Sequence, residues 1–416
     1  MKKQLLVACG LAVLATPAFA TKARLEALGE DNFGSYYIND NRNQFLNPAK
    51  INDQKDLVTY EFGRTSTSGT SGGNPASTSA TAADSPSSPK SEAGFNKSWN
   101  NMVYGLHFGN TTPTAAVTRA LAGSNLQEKN AWDLFVGGDA GVKWGANLTH
   151  EHANQGIRGA AGSRVSSNAL RGRVGVVAGD LEVLAHYSFM GDAKDYAGNM
   201  VEGNGSWLLG AGYMVNSYKL FADYKHVATD YSNTAPANGS AAVVKKEWSL
   251  DEVRLGVARQ ERLNDKATLF ARLTGERLMI SDDGTGYFGS KADNTRYVIP
   301  LNVGLEYDAA SWLVLRTSVG QYLWSKNTFD ASTTGQAGKD QKRTLSQTAV
   351  RAGASLKFGE FTVDGLISTN SAGDGSTDGN AGTPANGQNN GVSTNGGNGS
   401  LRTDQLMSRV SMTYRF

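Results

Sequence analysis

The sequence predicts an all-β chain: a transmembrane antiparallel β-barrel of about 14 strands, with 16 as the alternative. Three observations point there. Apolar residues recur at every second position in run after run, the period of a strand with one apolar and one polar face. Very short turns and long polar connections alternate between the runs, as a barrel with brief turns at one end and long loops at the other requires. Beyond the N-terminus no stretch approaches 18 consecutive apolar residues, so a helix does not cross the membrane.

Residues 1–20 read as a secretory signal peptide. Lys2 and Lys3 form its basic region, Leu5 to Leu14 its apolar region, and Ala18-Phe19-Ala20 its cleavage site. Leu6-Val7-Ala8-Cys9 also fits a lipoprotein cleavage pattern, but the apolar stretch before Cys9 is shorter than usual. Cys9 is the only cysteine, so the mature chain is expected to carry no disulfide and no thiolate metal site. A formal net charge of +2 gives no field that would recruit nucleic acid.

Residues 21–56 are read as an N-terminal periplasmic or lumen segment. Residues 57–98 combine one alternating run, Val58, Tyr60 and Phe62, with a Ser/Gly-rich low-complexity stretch. That run either lies in or under the lumen, or pairs with an earlier segment such as residues 34–39 to raise the count to 16. Residues 99–416 form the barrel. Its runs begin with Met102, Tyr104, Leu106 and Phe108, then Trp132, Leu134 and Val136, then Trp144, Ala146 and Leu148. Leu170, Val174 and Val176 follow, then Val183, Ala185 and Tyr187, Leu209, Ala211 and Tyr213, and Leu220, Ala222 and Tyr224. Trp248 and Leu250 shift parity to Val253, Leu255 and Val257, which predicts a bulge near Asp251. Leu269 to Leu273, Tyr297 to Tyr307, Leu313 to Val319, Val350 to Phe358 and Phe361 to Ile367 continue the series. Short turns are expected at residues 139–141, 179–180, 215–216, 263–265, 308–310 and 359–360. The last strand is expected to close the barrel beside residues 101–109, because open edges in lipid leave backbone groups unpaired.

The chain ends on an alternating strand with Val410, Met412, Tyr414 and Phe416 on its apolar face. This resembles Gram-negative outer-membrane β-barrel proteins of porin-like type, whose last strand ends in an aromatic residue. The resemblance implies that Val410, Met412, Tyr414 and Phe416 form the signal read by the outer-membrane assembly machinery. It also implies a bacterial outer-membrane location with lipid around the wall. Ala23-Arg24, Ala27-Leu28-Gly29 and Asn47-Pro48-Ala49 resemble the start of the FadL-like transporter family, which implies a hydrophobic cargo.

On the polar parity fall Lys143, Arg171, Arg173, Lys219, Lys225, Arg254, Arg272, Arg316, Arg351, Lys357, Arg409 and Arg415, with Glu182, Asp223, Glu252, Glu276, Glu306 and Asp364. Charges facing lipid near the midplane would cost about 2–4 kcal/mol each, so these are expected to line the pore. The basic surplus predicts a weak anion preference. Gly145, Gly175, Gly210, Gly304 and Gly353 on the same face are expected to leave room for water. Trp99, Trp132, Trp144, Trp207, Trp248, Trp312 and Trp324 fall near strand ends and are expected to form a membrane-interface belt.

The leading expectation is a porin-like channel for passive diffusion of small hydrophilic solutes. The alternatives are FadL-like transport of hydrophobic compounds and a structural or adhesive barrel without an open pore. No enzyme activity, cofactor or metal is expected; a homo-oligomer is left open. His150 and His152 share a face without a third ligand. Asp374, Asp378 and Asn380 read as a charged loop rather than a calcium site. Gly69-Thr70-Ser71-Gly72-Gly73 matches a nucleophile-elbow pattern by composition alone.

Overall fold

The computed structural model describes residues 21–31, 33–63, 90–110, 130–156, 164–194, 199–232, 245–283, 291–332, 341–343, 348–368 and 409–416. The segment read as a signal peptide, the Ser/Gly-rich stretch before residue 90, the elbow-like Gly69–Gly73 pattern and residues 374–380 lie outside them. The described strands form one closed antiparallel sheet of 16 strands. They are β1 Leu57–Gly63, β2 Lys90–Trp99, β3 Met102–Phe108, β4 Asn130–Asp139, β5 Lys143–Gly156, β6 Arg164–Ala178 and β7 Leu181–Lys194. β8 is Met200–Gly203 continued by Trp207–Val215; the two pieces lie in line between β7 and β9 Tyr218–Ser232. β10 Lys245–Arg262, β11 Ala267–Asp283, β12 Lys291–Ala310 and β13 Leu313–Ser332 are the tall strands. β14 joins Gln341–Arg343 to Thr348–Phe358 against β13, and β15 Phe361–Ser368 and β16 Arg409–Arg415 complete the ring.

Two expectations change. Leu57–Gly63 pairs neither with residues 34–39 nor under the lumen: it is the closing strand. Tyr60 stands opposite Met412 of β16 on one side and Ala93 of β2 on the other. The last strand therefore closes on β1, not on residues 101–109. β2 went unseen because its apolar parity, Ala93, Phe95 and Trp99, is interrupted by Ser91 and Lys97, so periodicity gives little signal there. No register break falls near Asp251; the breaks lie at Leu170/Arg171, Ile299/Pro300 and Asp308/Ala310. Pro300 has no N–H to give a ladder, and a bulge is where a strand tolerates that. The break at Asp308/Ala310 moves one expected turn on to residues 311–312, because β12 runs to Ala310.

The outer face is apolar. Val58, Tyr60, Tyr104, Leu134, Val174, Leu209, Leu255, Leu315 and Tyr414 are all exposed on it. The inner face is polar and buried, with Asp133, Arg173, Glu182, Arg316, Ser355 and Asp364 among its least accessible groups. A soluble fold buries the opposite set. A closed sheet turned inside out in this way suits hydrocarbon outside and no unpaired strand edge.

Candidate functional site, the plugged lumen

The inner face is buried because the chain fills its own barrel. Residues 21–54 enter the lumen as a helix α1, Lys22–Ala27, a short helix α2, Asn43–Leu46, and a 3-10 turn, Pro48–Asp53. α1 buries every residue, Lys22, Arg24 and Glu26 included. Three charges on six residues would be ruinous against an apolar core; here each meets an opposite charge. Arg24 grips Glu306 of β12 through two bonds of 2.9 and 3.2 Å and donates to the Asp40 carboxylate at 3.2 Å. Glu306 also accepts from Arg316 of β13 at 2.5 Å, and Arg316 continues to Asp364 of β15 at 2.8 Å. Asp40, Arg24, Glu306, Arg316 and Asp364 thus form an alternating chain of charge from plug to wall.

Other anchors ring the plug. Lys22 and Arg42 share Glu92 of β2, Glu26 meets Arg409 of β16 at 3.2 Å, and Glu30 meets Arg272 of β11 at 3.2 Å. Lys50 meets Glu182 at 3.4 Å, and Asp53 pairs with Lys143. His186 donates to the Leu46 carbonyl at 2.7 Å. Phe45 packs edge-on against His107 and Phe135, and Tyr36 stacks on Phe221 with centroids 4.9 Å apart. Burial pushes the Asp40 carboxyl up to about 7 despite Arg24, whose guanidinium is already committed to Glu306. Burial likewise pulls the Lys22 ammonium down to about 8.

The expected pore-lining residues do face inward, but into partners rather than open water. Arg171 bonds Glu151 at 2.8 Å and Arg173 bonds Asp133 at 3.2 Å. Lys219 pairs with Glu182, Arg254 with Asp223 at 2.7 Å, Lys225 with Glu252 at 3.5 Å and Lys357 with Asp308 at 3.5 Å. Arg351 lies beside Gly320 on β14's inner side, and Arg415 donates to Gln54 at 3.3 Å. The basic surplus narrows, because the sequence tally omitted four inward strand acids, while the plug brings acids and the bases Lys22, Arg24, Arg42 and Lys50 in equal number. Glu61, Glu92, Asp133 and Glu151 share the inner parity, and Glu26, Glu30, Asp40 and Asp53 come in with the plug. The strand acids were legible by parity alone; those of the plug were not.

The inward glycines make room for the plug, not for water. A Cβ on Gly145 would meet the Pro48 carbonyl, one on Gly175 the Asn47 side chain, one on Gly210 the Tyr36 hydroxyl and one on Gly353 Ala27. Asn47 caps the 3-10 turn by accepting from the Ala49 N–H at 3.1 Å. Asn47-Pro48-Ala49 therefore sits deep in the lumen, against bare backbone of β5 and β6.

Nearer the loops the inner wall changes character. Val201, Val227, Trp248, Leu250, Leu278 and Ile280 form a buried apolar cluster on β8 to β11. This corrects the placement of Trp248. It stands opposite Thr229, shares the inner parity with Glu252 and is 1% exposed, so it is no membrane-interface residue. Trp99, Trp144, Trp312 and Trp324 are exposed, and Trp132 and Trp207 are half-buried on the outer parity. Met412, Tyr414 and Phe416 continue the outer parity of β16, with Val410 beside Phe62 of β1. No group of three or more metal-ligating side chains occurs among the described residues.

Closed sheet, apolar outer face and polar, filled interior together define a bacterial outer-membrane β-barrel with an N-terminal plug. No protein-family model matches the chain, and no curated protein matches its sequence. Among solved structures it is similar to a Pseudomonas aeruginosa FadL homologue at 11% identity, covering 95% of this chain and 98% of that one, with a TM-score of 0.37. It is also similar to the Ralstonia pickettii toluene transporter TbuX, at 10% identity, 96% and 98% coverage and a TM-score of 0.34. A third is the OmpT outer-membrane protein of Vibrio cholerae, at 16% identity, 72% and 94% coverage and a TM-score of 0.36. At TM-scores this low the class rests on the chain's own strands.

Proposed function

We propose that this barrel is an outer-membrane channel whose passage is held shut by residues 21–54, and that its cargo is small hydrophobic compounds, in the manner of FadL-like transporters, rather than freely diffusing hydrophilic solutes. The observation that carries the reading is the apolar cluster around Trp248 on the loop-side inner wall. The cluster's side chains are withdrawn from water and packed on one another, so this part of the wall is closed to water, and burying its apolar surface gains about 25 cal/mol per Å². A mouth that collects apolar molecules above a plug gains from such a wall. The paired wall charges support the same reading, because neutralised pairs attract no ion.

Binding of an apolar fluorophore to the detergent-purified barrel, set beside planar-bilayer conductance, tests the proposal. The intact protein should bind the fluorophore and stay nearly silent electrically, and Leu250→Asp should weaken binding about tenfold by putting a charge in the cluster. Open, salt-proportional conductance steps from the intact protein would restore passive diffusion as the better reading.

A further inference from the structure

The outer wall carries a second polar feature, unrelated to transport. Arg277 of β11, Tyr297 of β12 and Lys326 of β13 are register partners in a row: Arg277 stands opposite Tyr297, and Tyr297 opposite Lys326. All three lie on the outer parity, and both cations are exposed. The row terminates the lipid-facing runs of its strands. On the turn side are Leu269, Ala271 and Leu273, then Leu301, Val303 and Leu305, then Leu315, Val319 and Leu323. On the loop side the same face continues as Met279, Thr295 and Thr328, then Ser281, Asp293 and Asp330. Arg277 and Lys326 therefore sit at the edge of the apolar band on the long-loop, extracellular side.

Among the described residues neither cation is in an ion pair, whereas Arg171, Arg173, Arg254 and Arg316 on the inner wall each are. The Arg277 guanidinium lies over the Tyr297 ring, 5.7 Å from its centroid. The nearest outward carboxylates are engaged elsewhere. Asp251 accepts from the Tyr224 hydroxyl at 2.5 Å and meets His226 at 2.8 Å, and Asp293 accepts from Ser281 at 2.5 Å. Two free cations about two strand spacings apart, roughly 10 Å, flank an interfacial aromatic at headgroup level.

We infer that Arg277 and Lys326, on either side of Tyr297, form a docking site for the phosphate of an anionic lipid headgroup in the outer leaflet. The planar fork of Arg277 suits phosphate oxygens, Lys326 supplies a second charge, and the Tyr297 ring packs against the lipid beneath the headgroup. A lipid is the occupant because the row is continuous with the lipid-facing wall.

Titration of the full-length barrel in neutral detergent with diphosphorylated lipid A tests the inference, with thermal unfolding as readout. Lipid A should raise the unfolding temperature. The Arg277→Gln, Lys326→Gln double variant should need about tenfold more lipid or greater for the same shift, and Arg277→Lys should retain most of the effect. Both variants are checked for folding by heat-modifiable gel migration before titration, and Lys326→Gln alone serves if the double variant is unfolded. An unchanged response in the folded variants would overturn the site. An equal shift from zwitterionic phosphatidylcholine would overturn the charge argument, and an equal shift from inorganic phosphate at matched concentration would overturn the assignment to a lipid.

Discussion

The turn-side and loop-side halves of the lumen are built from the same strands and solve opposite problems. On the turn side the wall is charged, and the plug brings the complementary charges: Arg24 to Glu306, Glu30 to Arg272, Lys50 to Glu182. On the loop side the same inward parity switches to Val227, Trp248, Leu250 and Ile280, which pack on one another. An ion pair withdrawn from water contributes little net stability yet costs much when one partner is removed. An apolar cluster contributes in proportion to its buried area and tolerates reshaping. The charged half is thus specific in register and intolerant of loss; the apolar half is permissive.

The largest expected effect breaks the charged half. Arg24→Met removes the middle link between Asp40 and Glu306 and leaves both carboxylates buried without it. Plug docking should lose about 3–5 kcal/mol, the cost of an orphaned buried charge. Hydrogen exchange along residues 21–54 measures this directly. Protection equal to that of the unchanged protein would show that the plug is held by shape rather than charge.

The next effect is steric. Gly175→Val puts a β-branched side chain where Asn47 lies against the wall of β6. In an empty pore the substitution would be neutral or favourable, since valine suits a strand better than glycine. Against a seated plug it should cost about 1–3 kcal/mol, as overpacking does. The sign alone separates a filled lumen from an open one, and plug protection by hydrogen exchange again reads it.

How much of this was legible varies by residue, for physical reasons. Period-2 alternation exposed the wall from β3 onward because hydrocarbon outside and polar groups inside enforce it. It assigned Arg173, Glu182, Arg316 and Asp364 to the inner face. It misplaced Trp248 and Leu250, because alternation tells which residues share a face, not which face looks to lipid, and the apolar cluster reverses the usual rule there. It could not foresee the plug. Lys22, Arg24, Glu26 and Asp40 look like an ordinary solvated segment until the barrel supplies their partners. Gly145 and Gly175 showed that space was needed, and only the fold shows that Pro48 and Asn47 occupy it. Asn47-Pro48-Ala49 was legible as a motif without its location.

The smallest expected effect lies where plug, first strand and chain end meet in the short-turn region. Asp56 joins the plug to β1. Its carbonyl accepts from the Phe416 N–H at 3.1 Å, and its side chain accepts from Ser98 at 2.6 Å and from Lys97 at 2.8 Å. The Lys97 and Ser98 hydrogen bonds hold the Asp56 carboxyl down at about 2. A carboxylate depressed in the folded state adds stability above its unfolded value near 4, and loses it as pH falls through about 2. Lys97 is 54% exposed, so water and salt screen the pair. Lys97→Ala should therefore cost about 0–1 kcal/mol at neutral pH, within the range of exposed pairs. The difference between the two proteins should shrink between pH 4 and pH 2, where Asp56 takes up its proton in both. Denaturant unfolding at neutral and acid pH checks this. A loss as large as that expected for Arg24→Met would mean that charge matters equally at the rim and in the plugged interior, and the contrast between screened and buried pairs would fail.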